Sequence, residues 1–88
     1  MKVHNMKSPR SGNPVPNQFI IVTDEGTMFQ SYGSIIAFIR RGSGKTELGK
    51  NWNYSRTTTR YRNIFLNEST KETRAKLASG QYILNENL

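Results

Sequence analysis

The chain has 88 residues, 13 Lys and Arg against six Asp and Glu, and no cysteine. That length allows one small domain, and the lack of cysteine excludes a disulfide framework, a thiolate zinc site and a cysteine nucleophile. The longest apolar run, Ile35–Ile39, is too short to cross a membrane, and no apolar segment follows the N-terminal lysines to make a secretory signal. A non-membrane, cytoplasmic protein is expected.

Residues 1–17 read as a flexible basic arm, because Pro9, Gly12, Pro14 and Pro16 punctuate it and no periodicity survives. A single α+β domain is expected over 18–88. The β-branched and aromatic run around Phe19–Thr23 predicts a strand over 18–24. Asp24-Glu25-Gly26 supplies turn chemistry, and a second strand follows at 27–32. After Gly33, the run Ile35-Ile36-Ala37-Phe38-Ile39 predicts a strand over 34–40, and a glycine turn leads to another at 46–51. The reading is therefore a small antiparallel sheet of three to four strands.

Helices follow. Ser55 and its neighbours offer capping oxygens, and Tyr61, Ile64 and Phe65 fall at i, i+3, i+4, predicting a helix over 57–67. Ser69-Thr70-Lys71-Glu72 has the spacing of a capping box, so a second helix is expected over 70–79, stopped by Gly80. Tyr82-Ile83-Leu84 then forms an apolar clip. Phe19, Ile21, Phe29, Ile36, Phe38, Trp52, Tyr61, Ile64, Phe65 and Leu77 are the expected core, with the first helix covering one face of the sheet.

The charge is not evenly spread. Between Arg40 and Arg62 lie seven basic residues and one acid, Glu47. Such an excess favours polyanion partners. The candidate anion-binding residues are Arg40, Arg41, Lys45, Lys50, Arg56, Thr57, Arg60 and Arg62. Arginine forks match phosphate oxygens, hydroxyls add neutral donors, and the interleaved Trp52, Tyr54 and Tyr61 can stack bases.

Catalytic patterns are missing. Gly42-Ser43-Gly44-Lys45-Thr46 contains the end of a phosphate-binding loop, but position 39 is isoleucine where that motif needs glycine. A second glycine, Gly49, also interrupts any helix that the loop would open. The single histidine, His4, and singly scattered acids give no metal-ligand spacing. No enzyme, no cofactor and no metal are expected.

Phe29-Gln30-Ser31-Tyr32-Gly33-Ser34-Ile35-Ile36-Ala37, then Trp52, then Tyr54-Ser55-Arg56-Thr57-Thr58-Thr59-Arg60-Tyr61 carry a resemblance. They are similar to a family of small bacteriophage and mobile-element proteins of unassigned function, with a Ser-Tyr-x-Ser/Thr-x-Ile-Ala block and a Ser-x-Thr-Thr-x-Arg helix start. The resemblance implies a viral source, hence host cytoplasm, and no mechanism. The expectation is a non-enzymatic phage accessory protein that binds nucleic acid through the basic face 40–62. Two alternatives stand beside it: an inhibitor covering an anionic surface of a host defence protein, and a sponge for a small phosphorylated signal. A homodimer would favour the sponge, which builds its pocket between protomers, whereas a nucleic-acid binder needs only a continuous stripe.

Overall fold

The computed structural model describes residues 1–42 and 45–88; Ser43 and Gly44, the centre of the expected glycine turn, lie outside the described residues. Among the described residues the elements run β1 (Lys2–Lys7), β2 (Pro14–Thr23), β3 (Gly26–Ser31), β4 (Ser34–Arg40) and β5 (Thr46–Leu48). Then come α1 (Arg56–Leu66), α2 (Thr70–Ala78) and β6 (Tyr82–Leu84). The class is α+β, but the sheet has six strands rather than three to four, in the order β1-β2-β3-β4-β5-β6. Neighbours are antiparallel except β5 and β6, which run parallel across the two-helix connection.

Both extra strands come from segments given other roles above. Lys2–Lys7, expected in a flexible arm, pairs with β2. Its side chains are exposed except Met6, so it shows no alternation to read. Pro14 and Pro16 are tolerated because β2 pairs with β3 only from Gln18 onward, which leaves the proline stretch flanked on one side. The expected clip Tyr82–Leu84 is β6.

The β3–β4 connection is a two-residue turn in which Tyr32 (φ 50°) and Gly33 (φ 82°) are both left-handed, as a tight hairpin of this hand requires. Past Ala37 the chain turns back through β5 to Gly49, where an added Cβ would lie 2.2 Å from the Ile35 carbonyl oxygen. Only glycine fits that approach.

The helices begin and end as their sequences dictate. Ser55 Oγ accepts from the Thr58 N–H at 3.2 Å and caps α1, and Asn67 closes it in the left-handed conformation. Ser69 and Glu72 form the expected capping box of α2.

The core lies between the sheet and the helices. Met6, Phe29, Ile36, Ala37, Leu48, Tyr61 and Tyr82 are buried there, with Trp52, Phe65 and Leu77 packed against them. The Phe29 and Phe65 rings stack at 5.8 Å. Phe19, Ile21 and Phe38 alternate with Gln18, Ile20 and Ala37 and so project from the opposite face of the sheet; Phe38 is buried there as expected, whereas Phe19 and Ile21 are only half-buried. Ile64, also expected inside, is 45% exposed.

Candidate functional site

The basic run Arg40–Arg62 does not make one face. β4 and β5 are antiparallel, so Arg40, Arg41 and Lys45 gather at one end of the hairpin, and Lys50 follows the other end. With seven residues in β4 the two groups stand about 20 Å apart.

Each cation has its own surroundings. Arg40 donates to both carboxylate oxygens of Glu47, lies 3.7 Å from Glu25 and covers the Phe38 ring at 4.4 Å. The Arg40 hydrogen bond, with a second from Asn85, holds the Glu47 carboxyl below the usual carboxylate range, against the opposing effect of burial. Arg40 is therefore spent on an internal pair. Arg41 is exposed and reaches the Thr23 carbonyl at 3.4 Å, and Lys45 donates to the Gly80 carbonyl at 3.2 Å. Lys50, Arg56 and Arg60 are exposed, and Thr57 is half-buried.

Arg62 is the exception. It is 0% exposed. Its guanidinium donates to the Trp52 carbonyl at 2.6 Å, to Asn63 Oδ1 at 2.9 Å and to Thr70 Oγ1 at 3.0 Å, tying α1 to α2 and to the loop before α1. Burial lowers its pKa. It cannot reach a phosphate in this fold, which corrects its place among the candidate anion contacts. An arginine followed by a helical apolar stripe looks the same in sequence whether it faces out or in.

Sequence reasoning missed a pocket. The start of α1 lies over the β3–β4 turn, where Ser31, Tyr32, Ser34, Ile36, Asn51, Tyr54 and Thr58 enclose about 170 Å³. Ser31 and Thr58 hydroxyls meet at 2.9 Å, and Asn51 donates to Ser34 Oγ at 3.3 Å. Tyr32 and Tyr54 are 51% and 70% exposed, unusual for rings of that size. Tyr32 also adopts a left-handed backbone that a tyrosine rarely takes. The lining supplies hydroxyls, an amide and two phenols, with no carboxylate, imidazole or amine. Arg56 and Thr57 open the helix beside it, and no acid occupies the first turn of α1. The available signal was the pair of motif blocks around Ser31–Ala37 and Tyr54–Tyr61, which the fold brings to one place.

Among the described residues no three His, Cys, Asp or Glu side chains come together as metal ligands. No helix among them is long and apolar enough to cross a membrane. The model of a family of unknown function, DUF8033, matches residues 1–82. The chain belongs to this family. The DUF8033 match starts before β1 and ends at Tyr82, so it takes in β1–β5, both helices and only the first residue of β6. Comparison with curated proteins and with solved structures finds no match.

Proposed function

We propose that this DUF8033 protein is a non-enzymatic, phage-borne accessory protein that binds single-stranded nucleic acid. An unpaired nucleotide would be held at the Tyr32/Tyr54 pocket. The observation that carries the reading is the conjunction at the α1 start: two exposed tyrosines, a hydroxyl-lined pocket and exposed cations Lys50, Arg56 and Arg60. Aromatic rings give stacking area to any base, and each such stack is worth about 1–3 kcal/mol. The Ser31, Ser34, Asn51 and Thr58 side chains present donors and acceptors to a base edge or a sugar. The cations and the free amides of the first helical turn favour the flanking phosphates.

Fluorescence anisotropy with a labelled ten-nucleotide single strand tests it. Binding at about 50 mM salt should exceed that of a duplex, with a log–log salt slope near −2 for about three phosphate contacts. A nucleoside monophosphate that competes as well as the oligonucleotide would move the assignment to a small phosphorylated ligand. No binding to either would leave inhibition of a host protein as the reading to pursue.

A further inference from the structure

Helices cover one face of the sheet, and the other face is apolar. Val3, Ile21, Met28, Phe38, Glu47 and Ile83 are register partners in turn and make one row across all six strands. A second row adds Phe19, Gln30 and Ile35. A sheet face left in water is normally polar at alternate positions, whereas strands apolar on both faces belong to sheets covered on both. The central strands β2–β4 follow the second pattern. The shortest extent of the molecule, 20 Å, is filled by one sheet and one helix layer, so the described residues hold no third layer to supply the cover.

We propose that a second copy of this chain covers this face, sheet against sheet about a two-fold axis near the half-buried Ile21 and Met28. Charge favours a second copy. The chain carries +7, yet Glu47 is the ionised side chain within the two rows and is paired with Arg40 of the adjoining row, while the exposed Lys45 stands beyond it at the rim of the face. Two basic molecules can therefore meet through the centre of this face without setting unpaired like charges against each other. The area agrees: four strands about 20 Å long and two about 10 Å long, at about 4.8 Å spacing, give a footprint of about 500 Å² per copy. Two such faces reach the roughly 1,000 Å² that a specific interface needs. Aligned sheets pack about 10 Å apart with interdigitating side chains, which suits this row of mixed apolar sizes. The inference does not depend on what the pocket binds.

Sedimentation equilibrium at about 100 µM should give twice the 10.1 kDa chain mass, and Met28→Lys should give the single-chain mass. Because the chain has no cysteine, a thiol introduced by Met28→Cys reports on the same face. At the same concentration its maleimide labelling should be slower than that of Lys71→Cys on exposed α2 by about tenfold, and should speed up on dilution while that of Lys71→Cys stays constant. A wild-type monomer at about 100 µM, or Met28→Cys labelling as fast as Lys71→Cys there, overturns the proposal. A dimer whose Met28→Cys site stays open overturns it as well.

Discussion

The Arg62 guanidinium lies 5.0 Å from the centre of the Trp52 ring and donates to the Trp52 carbonyl at 2.6 Å. One side chain thus fixes both the ring and the backbone of the loop that leads into α1. Arg74 approaches the same ring at 5.6 Å. The most buried cation of the basic run is a strut, and the pocket beside that loop depends on it.

Arg62→Ala should therefore cost about 3–5 kcal/mol, since it leaves a buried carbonyl unpaired and a cavity behind. Arg62→Met should cost less than half as much, because it fills the space and removes a desolvated charge. Urea unfolding of the two variants measures both. Equal losses would mean that the hydrogen bonds, rather than the volume, hold the loop.

Tyr32→Gly separates stability from binding. The left-handed backbone at Tyr32 is strained by about 1 kcal/mol for a residue with a Cβ. Glycine should raise thermal stability by a similar amount and weaken oligonucleotide binding by about tenfold through loss of the ring. Strain of this kind persists where function holds it. A variant more stable and equally good at binding would remove Tyr32 from the site.

The cations at the α1 start and those at the β4–β5 hairpin end should differ. Arg56→Glu/Arg60→Glu should leave the fold intact, or slightly firmer because the helix start then carries acid, while affinity falls by about tenfold or more. Arg41→Glu/Lys45→Glu, at the far end, should change affinity less than threefold or so. The reverse order in a binding titration would relocate the anion site to the hairpin.

Gln18 is fully buried opposite Ser31, and neither atom of its amide has a hydrogen-bond partner among the described residues. Gln18→Met keeps the shape and drops the unsatisfied groups, so it should stabilise the fold by about 1 kcal/mol. Chemical denaturation gives the sign directly.

Stability should decline on both sides of neutrality through one cluster. Glu68, 2% exposed at its side chain, accepts from Tyr82 at 2.6 Å, Lys76 at 2.7 Å and Thr73 at 2.5 Å. Burial pushes its pKa up, but these hydrogen bonds outweigh that and hold it below the usual carboxylate range. Its contribution is present above about pH 4.3 and is lost as pH falls through the lowered value. Burial, then the hydrogen bond to Glu68, pushes the Tyr82 phenol up to about 12. The folded state keeps that proton where the unfolded chain has lost it, so stability falls as pH rises from about 10 toward 12. Glu68→Gln should flatten the acid limb. Tyr82→Phe should abolish a phenolate absorbance step near pH 12.

Much of the fold was legible because β2–β4 and both helices carry their own local signals: β-branched runs between turn residues, a capping serine, a capping box. β1 and β6 were not, because each is an edge strand with one buried residue, Met6 or Tyr82, and gains its conformation from its neighbour. The two faces of the sheet were confused because Phe19, Ile21 and Phe38 are as apolar as the residues that do meet the helices. The cations around the candidate site could be counted from sequence but not sorted. Whether Arg62 is a contact or a strut depends on α2, whose position no local pattern encodes. The pocket comes from two segments that meet only when α1 lies across the β3–β4 turn.

The parallel pairing of β5 with β6 has a consequence for how the molecule assembles. Every other strand joins its neighbour through a short hairpin, whereas Thr46 meets Tyr82 only after two helices have been laid down between them. Closing that long loop comes late, because its entropy is lost before any contact repays it. The first five strands are thus expected to form a nucleus and Tyr82 to act as a closing latch. Loosening the latch in Tyr82→Phe should speed unfolding and leave the refolding rate unchanged.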